Sequence, residues 1–405
     1  MSQPLVSIVT PSYNQGEFIR ATIESVLAQD YPNLEYIVMD GGSTDQTAAV
    51  VAEYAGRLTW ISEKDRGQAH AINKGFARAR GEIVAWLNSD DIFLPGAVTR
   101  AVQAFAQAPR AGAIYGEGYR MDREGRLAGR FPATEPFNLW KLAYLSDYVL
   151  QQSTFFRRAA VEECGWLDES LHYALDWDLL IRLGKRYGLH YIPEYLGALR
   201  EYPEAKSFAG GARRVEEIRR VLERHTGLKR APGFWTYCLD TWQRQWRNRV
   251  VTRSPCWLRL PARLLNLLVY LPTAVAIMLI LRHAQGLYAD GSASDRLKWM
   301  LPEGRGDVVV RGTLPHDRRL KGATLSAFVD DRILGSWPLE PGAFEVRFRA
   351  PDQSGPLLFQ LHSSHYRRPG WNVAWDRRRL AFFLQSADWG DDGGTCEPRP
   401  SGLGN

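Results

Sequence analysis

Short apolar runs alternate with amphipathic segments through about the first 90 residues, and this alternation most restricts the possible folds. The runs have strand length, and the segments between them repeat apolar residues at helical spacing. Strands that alternate with helices through short loops build a doubly wound parallel sheet, so we expect an α/β fold. Ser43 and Gln46 also predict a capping box at the start of the second helix. The predicted strands are 5–10, 34–39, 58–61 and 83–87, and the predicted helices are 18–27, 43–54 and 68–80.

The fourth predicted strand ends abruptly in polar residues. The apolar residues 83–87 lead into Asn88 and then into Asp90 and Asp91. Ligands of open α/β sheets bind beyond the carboxyl ends of the strands, so two acids reach the expected ligand site. Adjacent carboxylates repel unless a proton or cation intervenes, and Mg²⁺ or Mn²⁺ completed by substrate phosphates meets that need. The alternative is that Asp90 or Asp91 caps a helix that Pro95 opens.

Length and composition narrow the class of protein. The chain has 405 residues, which is enough for two or three domains. Its net charge of +6 is modest, so nucleic acid is not required, and an anionic substrate or a membrane surface fits equally well. The four cysteines have neither metal-binding nor disulfide spacing, which agrees with a reducing compartment. Without a signal peptide at its start, we expect the first domain to be cytosolic.

Four motifs, taken in order, resemble those of family 2 glycosyltransferases, which have the GT-A fold. They read SIVTPSYN at 7–14, VMDGGSTD at 38–45, AINKG at 71–75 and NSDD at 88–91. Further similarity lies in QSTFFRR and DWDLLIRL, and the resemblance covers about residues 5–207. It implies a nucleotide-sugar donor, a hydroxyl acceptor and a divalent metal cofactor, Mg²⁺ or Mn²⁺.

The resemblance also implies roles for individual residues. Asp176 matches the catalytic base that deprotonates the acceptor hydroxyl, and Asp91 matches the acid that contacts the metal. A base on the acceptor side and a cation on the leaving group favour a single displacement that inverts the anomeric carbon. Arg66 lies at the same predicted sheet edge, which makes it a candidate for a phosphate or ribose contact. The residues predicted to bind the nucleotide-sugar are Pro11, Tyr13, Asp40, Arg66 and Asp90.

Several of these residues have a simpler structural interpretation. Asp40 alternatively accepts backbone hydrogen bonds ahead of the glycine pair that follows it. Asp176 and Asp178 both begin an apolar-periodic segment, so one of them is expected to be only a favourable acid at a helix N-terminus. Tyr13 alternatively packs within its loop, and residues 63–66 alternatively form a solvated charge run.

The sequence departs from the family pattern at three positions. Gly41 stands where many relatives carry an acid that reads uracil, so UDP is not fixed as the donor carrier. Leu175 replaces the first acid of a common Glu-Asp pair but leaves Asp176 as the base. Tyr202 stands where relatives often have histidine, which leaves a pyrophosphate contact by that loop open. Since no Gln-X-X-Arg-Trp motif occurs, we do not expect processive polymerisation.

Residues 244–281 have the composition of a membrane interface. Arginines and tryptophans interleave over 244–263, and an apolar run follows over 264–281, broken by Pro272. Membrane interfaces select this combination. Because the run barely reaches spanning length, we favour an interfacial or re-entrant helix pair over a spanning helix or a buried core helix.

From residue 306 onward, short alternating segments separated by turn residues predict an antiparallel β-sandwich. Trp371, Trp375 and His365 are candidates for stacking on a sugar ring, although core packing explains them equally well. The predicted domains are 1–228 (glycosyltransferase), 229–290 (helical linker with the membrane-associating segment), 291–390 (β-sandwich) and 391–405 (disordered tail).

The leading hypothesis is a metal-dependent, inverting glycosyltransferase. It would move a sugar from a nucleotide-sugar to a hydroxyl of a lipid-linked glycan during surface polysaccharide or glycolipid biosynthesis. We expect it to act at the cytoplasmic face of the plasma membrane, with no nucleic-acid partner. Two other classes fit the same fold: a non-catalytic scaffold that binds nucleotide or carbohydrate, and a sugar nucleotidyltransferase.

Overall fold

The computed structural model describes residues 3–202, 204–206, 210–246, 265, 292–293, 295–330, 332–352, 355–366 and 381–390. The chain divides into two compact units, residues 1–281 and 282–405. Most of the predicted membrane-associating segment, Trp371, Trp375 and the predicted tail lie outside the described residues. Within the described part, none of the helices is long and apolar enough to cross a membrane.

The first unit interleaves strands and helices. Its described strands are β1 (Val6–Ser12), β2 (Leu34–Asp40), β3 (Thr59–Ser62), β4 (Ile83–Trp86), β5 (Ile92–Phe93), β6 (Ala113–Met121), β7 (Leu127–Arg130), β8 (Thr154–Arg157) and β9 (Leu189–Arg200). Its described helices are α1 (Ile19–Leu27), α2 (Thr47–Ala52), α3 (Gln68–Arg78), α4 (Ala97–Gln107), α5 (Leu139–Tyr144), α6 (Arg158–Cys164), α7 (Leu175–Arg186), α8 (Gly211–Thr226) and α9 (Pro232–Trp246). A short 3₁₀ turn, Gln151–Ser153, precedes β8.

These nine strands form one mixed sheet in the order β3-β2-β1-β4-β8-β6-β9-β5, with β7 paired to β6. Strands β1 to β4 run parallel to one another, which confirms the predicted doubly wound arrangement. Strand β8 runs antiparallel to both β4 and β6, so the sheet as a whole is mixed. The carboxyl ends of β1 to β4 therefore meet at one edge, where their polar loops come together.

One prediction and one alternative interpretation about helix starts are wrong. Helix α2 begins only at Thr47, and its N-cap Gln46 makes no side-chain hydrogen bond. Ser43 instead donates its hydroxyl to Asp40, so there is no capping box. Helix α4 begins at Ala97 after Gly96, so neither of the acids in 88–91 caps it.

Both faces of the sheet are covered by helices. Successive residues of β1 point to opposite faces, and Ile8 and Val9 are both fully buried. Val9 joins a cluster with Phe76, Trp86 and Trp177, among others, while Ile8 belongs to a second cluster on α1 and α4. This two-sided burial explains why these strands read as continuous apolar runs.

The second unit consists of antiparallel strands. They are β10 (Ser292–Ala293), β11 (Arg296–Glu303), β12 (Asp307–Leu314), β13 (Thr324–Val329), β14 (Arg332–Pro338), β15 (Gly342–Arg349), β16 (Pro356–Ser363) and β17 (Phe382–Trp389). They form two four-stranded sheets, ordered β10-β17-β12-β15 and β11-β16-β13-β14. Buried residues of both sheets share one cluster, and burial alternates along β13 and β16. The prediction of antiparallel strands in this region is confirmed.

Candidate active site

The acid turn, which we define as residues 88–91, follows β4 at the shared carboxyl edge of the parallel strands. Because β1 and β4 pair in parallel, the turn lies beside the loop that leaves β1. Thr22 of α1 anchors the turn by donating its hydroxyl to the carbonyl oxygen of Asp91 at 2.7 Å. The acids are thus held on the sheet rather than carried by a free loop.

The carboxylate of Asp91 points into the protein and is 1% exposed. Its Oδ1 accepts a hydrogen bond from the backbone N of Arg200 at 2.8 Å. Its Oδ2 accepts from Nε2 of Gln152 at 2.7 Å and from Nδ2 of Asn88 at 3.1 Å. Burial and the neighbouring Asp90 carboxylate raise the pKa of Asp91 to about 8. Asp91 therefore ties the acid turn to β9 and to the 3₁₀ turn.

Asp90 is the acid with a free oxygen. Its Oδ2 accepts a hydrogen bond from the hydroxyl of Tyr202 at 2.8 Å, and its carbonyl oxygen accepts from Nε of Arg200 at 2.8 Å. Among the described residues, no other residue donates to its Oδ1. Burial raises the pKa of Asp90, so a nearby cation would favour its ionised form.

The acid turn fits a divalent cation that is held mainly by substrate. In the part of the chain that the structure describes, no group of three or more His, Cys, Asp or Glu side chains is arranged to hold a metal. Mg²⁺ commonly takes one or two protein carboxylates and completes its shell with water and phosphate oxygens. One free carboxylate oxygen on Asp90 fits that use. The role of Asp91 as the metal ligand stays a prediction, although both of its oxygens already accept hydrogen bonds.

Pro11, Tyr13 and Asp40 lie at the ends of β1 and β2, as predicted. Pro11 is buried, whereas Tyr13 exposes 60% of its surface. Asp40 is 2% exposed and accepts hydrogen bonds from the hydroxyls of Ser43 and Ser62, both at 2.5 Å. The Ser43 backbone N also donates to Asp40 at 3.2 Å. This is the kind of bond expected if Asp40 serves only to accept backbone hydrogen bonds at the turn. A nucleotide contact by Asp40 stays a prediction.

The loops around Tyr13 contain polar atoms that have no protein partner. Ser12 is 4% exposed, yet neither its Oγ nor Oε1 of Gln15 has a hydrogen-bond partner within the described residues. A Cβ on Gly41 would lie 2.5 Å from Oδ2 of Asp65 and 3.3 Å from the Tyr13 ring. The Asp65 carboxylate therefore occupies the space that a side chain at position 41 would take.

Arg66 lies beside the site but is engaged elsewhere. Its guanidinium forms an ion pair with Glu169, which also accepts a hydrogen bond from Asn73 at 3.2 Å. The Arg66 side chain is 70% exposed, as expected for the solvated charge run. Its contact with phosphate or ribose stays a prediction.

Asp176 and Asp178 lie in the first turn of α7 and differ in environment. Asp176 is half-buried; its Oδ1 accepts from the Trp177 N at 2.9 Å, and no other residue of the described part donates to its carboxylate. Burial raises the pKa of Asp176. Asp178 is fully buried, and although burial opposes it, His225 and Arg182 hold its pKa down at about 2. Asp178 is thus the structural acid of the pair.

A further acid, Asp147, lies near Asp176 and was not predicted. Its Oδ1 accepts from the backbone N of Val149 at 3.2 Å, and its backbone N donates to the hydroxyl of Tyr237 at 3.2 Å. Burial and the neighbouring Asp176 carboxylate raise the pKa of Asp147 well above its ordinary value. Asp147 thus places a second carboxyl group near Asp176 from a different segment of the chain.

A chain of hydrogen bonds links the acid turn to the surroundings of Asp176. Nδ2 of Asn88 donates to Asp91, and Nε2 of Gln68 donates to Oδ1 of Asn88 at 2.6 Å. Nζ of Lys206 in turn donates to Oε1 of Gln68 at 2.6 Å. Burial lowers the pKa of Lys206 to about 8, although the negative charge of the nearby Asp176 acts to raise it. The two ends of the predicted site therefore belong to one connected structure.

Comparison with known proteins identifies the family. A family model described as "Glycosyl transferase family 2" matches residues 7–165. An uncharacterized glycosyltransferase of Mycobacterium tuberculosis is 35% identical over 186 residues, which are 45% of this chain and 69% of that protein. The chain belongs to glycosyl transferase family 2. The resemblance read from the four motifs is confirmed.

Other relatives match over smaller shares of their length. An uncharacterized glycosyltransferase of Rickettsia prowazekii is 26% identical over 199 residues, which are 48% of this chain and 63% of that protein. The chain thus spans less than two thirds of that relative. Chondroitin synthase of Escherichia coli is 31% identical over 185 residues, which are 45% of this chain and 27% of that protein.

Two solved structures match part of the chain. S. aureus TarS in complex with UDP has a TM-score of 0.42 and 17% identity, covering 63% of this chain and 77% of that chain. The mannosyltransferase PcManGT from Pyrobaculum calidifontis, in complex with GDP-Man and Mn²⁺, has a TM-score of 0.44 and 22% identity, covering 71% of this chain and 77% of that chain. Both TM-scores are below 0.5, and the fold described above rests on the chain's own strand order.

Proposed function

We propose that this family 2 protein is a metal-dependent, inverting glycosyltransferase that moves a sugar from a nucleotide-sugar to a hydroxyl of a glycan. The observation that carries the proposal is the hydrogen-bond chain from Asp91 through Asn88 and Gln68 to Lys206, next to Asp176. A donor-binding end and a proton-accepting end are what sugar transfer to a hydroxyl requires.

On the donor side, we assign the nucleotide to the loops around Tyr13. The exposed Tyr13 ring offers a surface for a base, and the Ser12 hydroxyl, which has no hydrogen-bond partner among the described residues, suits a polar ligand. Asp90 would hold the cation through its free oxygen, which moves the proposed metal contact from Asp91 to its neighbour. When bound, the cation would neutralise negative charge on the diphosphate as it leaves.

On the acceptor side, Asp176 accepts the proton of the attacking hydroxyl. The acceptor oxygen bonds to the anomeric carbon while the bond from that carbon to the diphosphate oxygen breaks. The electron pair leaves with the nucleoside diphosphate, and the proton goes to the Asp176 carboxylate. Asp147 lies beside this base with one oxygen that takes no hydrogen bond from the described residues, so it is placed to bind a second acceptor hydroxyl. A single displacement of this kind inverts the anomeric carbon.

The proposed activity is tested by screening nucleotide-sugars for release of nucleoside diphosphate, with Mn²⁺ and with EDTA. We expect release that EDTA abolishes and that glycan acceptors accelerate. The anomeric configuration of the product, read by NMR, tests inversion. Pyrophosphate release would instead indicate a nucleotidyltransferase, and nucleotide binding without turnover on any acceptor would indicate a scaffold.

We further propose that the acceptor is lipid-linked and that the protein acts at the cytoplasmic face of the plasma membrane in surface polysaccharide or glycolipid biosynthesis. The arginine- and tryptophan-rich segment 244–263 and the apolar run 264–281 support this. So do Trp235 and Trp242, which are two turns apart on α9 and 49% and 36% exposed. Similarity to a chondroitin synthase agrees with a role in polysaccharide biosynthesis.

Vesicle flotation tests the membrane proposal separately. The full chain should float with anionic vesicles, and Trp235→Ala/Trp242→Ala should weaken that binding. A wild-type chain that stays unbound at low salt would refute the membrane proposal and leave the transferase proposal standing.

A further inference from the structure

Tyr202 contacts the acid turn in a way that its position in the sequence did not suggest. Its hydroxyl donates to Oδ2 of Asp90 at 2.8 Å. The ring is 9% exposed and packs on Phe18, with the two ring centroids 5.0 Å apart. The guanidinium of Arg123 lies 5.6 Å from the Tyr202 ring centroid, which is a cation–π contact with the ring. The ring is therefore fixed from several sides, and only its hydroxyl reaches the acid.

The bond from Tyr202 gives the two oxygens of Asp90 different surroundings. Oδ2 is occupied by the phenol, whereas Oδ1 accepts nothing from another described residue. The main chain at Asp90 is held as well, because Arg200 donates its Nε to the carbonyl oxygen of Asp90 and its backbone N to Asp91. The end of β9 and the residues after it thus set both the position of the acid turn and the orientation of the outer carboxylate.

We propose that Tyr202 is a positioning residue, whose hydroxyl orients the Asp90 carboxylate and sets the affinity of the donor site for a divalent cation. The proposal rests on the proposed function, in which Asp90 holds the cation. Groups that hydrogen-bond to a metal-binding side chain fix its orientation, and their removal typically weakens metal affinity by roughly 10–100-fold. A phenol does this without competing for the cation, because it donates its proton to the carboxylate.

The alternative is that Tyr202 only fills space between Phe18 and the acid turn. Tyr202→Phe separates the two roles, because it keeps the ring and its packing and removes only the hydroxyl. Tyr36→Phe is a matched control, since the Tyr36 hydroxyl makes a buried hydrogen bond with Thr10 at 3.0 Å and does not touch the acid turn. Both variants lose one hydroxyl from the first unit, so a general effect on folding should appear in both.

The experiment measures Mn²⁺ binding to the full chain by calorimetry and by the electron paramagnetic resonance signal of free Mn²⁺, with and without UDP or GDP. We expect the Kd for Mn²⁺ to rise by roughly 10–100-fold in Tyr202→Phe and to stay within twofold of wild type in Tyr36→Phe. In an Asp90→Asn background, adding Tyr202→Phe should change the Kd no further, because the carboxylate it orients is gone.

Two results would overturn this inference, and they can be told apart. Mn²⁺ binding by Tyr202→Phe that equals or exceeds the wild-type affinity refutes the role of Tyr202 and leaves the proposed function intact. A wild-type chain that binds no Mn²⁺ with either nucleotide refutes the proposed cation site and this inference together. Thermal unfolding of Tyr202→Phe and Tyr36→Phe supplies the check on folding, and a similar loss of stability in the two excludes a folding explanation for a difference in Kd.

Discussion

Replacing Gly75 by alanine tests how closely α3 must approach the sheet. Gly75 belongs to the AINKG motif and lies where α3 packs on β1 and β2. A methyl group there would lie 3.0 Å from Cγ2 of Val9, 3.1 Å from Cγ of Met39 and closer still to Cγ1 of Val9. Carbon atoms in contact are normally ~3.5–4.0 Å apart, so the methyl would overlap both side chains.

The size of the effect follows from the lack of space around these atoms. Val9 is 0% exposed and Met39 is 1% exposed, and both lie on strands paired on each side. Overpacking a rigid core costs ~1–3 kcal/mol, and two overlapped side chains place Gly75→Ala at the upper end. Alanine regains ~1 kcal/mol of helix propensity. We expect the free energy of unfolding to fall by about 2 kcal/mol.

Urea unfolding, followed by circular dichroism and tryptophan fluorescence, measures this change. Gly184→Ala in α7 is the matched control, because the atoms nearest to its methyl would be the side-chain ends of Leu139 at 3.2 Å and Phe137 at 3.3 Å. We expect the control to stay within about 1 kcal/mol of wild type, since helix propensity offsets a mild contact. Val9→Ala removes the overlapped methyl groups. The double variant Gly75→Ala/Val9→Ala should therefore lose less unfolding free energy than the sum of the two single losses, by about 1 kcal/mol or more. Wild-type stability of Gly75→Ala, or additivity in the double variant, would refute the reasoning.

Three further predictions concern charged and polar groups. Asp178→Asn should lower the free energy of unfolding at pH 7 by at least about 2 kcal/mol, because the folded pKa of about 2 lies below the unfolded value near 3.8. The depressed pKa stabilises the fold above pH 4, and that stabilisation is lost as pH falls toward 2. Urea titrations should therefore show that the difference in unfolding free energy between wild type and Asp178→Asn narrows over this range. A difference that does not depend on pH contradicts this. Burial raises the pKa of Asp176, so kcat/KM for transfer should fall as pH drops through a value above that of an ordinary carboxyl group, and a profile flat down to pH 4 contradicts this. Gln68→Ala removes the hydrogen bonds with Lys206 and Asn88. We expect the free energy of unfolding to fall by about 2 kcal/mol and kcat to fall about tenfold. An unchanged unfolding free energy together with an unchanged kcat would contradict this prediction.

The part of the fold that could be predicted is the part that local patterns encode. Strands β1 to β4 and helices α1 and α3 lie within a few residues of the predicted ranges, because each has its own apolar period. The insertion of β8 between β4 and β6 could not be read, since antiparallel pairing of distant segments leaves no local signal. The same holds for β10 and β11 in the second unit, which pair with the distant strands β17 and β16.

The candidate site shows the same limit at the level of side chains. The sequence placed Asp90 and Asp91 at the right edge of the sheet, but it could not tell which carboxylate turns inward. That depends on donors brought from β9 and the 3₁₀ turn, namely Arg200 and Gln152. Tyr202 was noticed only as a departure from the family pattern, because its bond to Asp90 depends on the path of the chain after β9.

Lys206, Gln68 and Asp147 carried no usable signal at all. Each is an ordinary polar residue in its own segment, and each gains meaning from a neighbour far away in sequence. The unexpected acid Asp147 is the clearest case, since nothing in its own segment indicates that it lies near Asp176.

The central claim is that Asp90 and Asp176 serve the two ends of one transfer reaction. Nucleoside diphosphate binding with Mn²⁺, measured by thermal stabilisation, together with transfer by the same preparations, tests it most directly. We predict that Asp90→Asn loses both the stabilisation and transfer, whereas Asp176→Asn keeps the stabilisation and loses transfer. Transfer at the wild-type rate by Asp176→Asn, or undiminished stabilisation of Asp90→Asn, would contradict the claim.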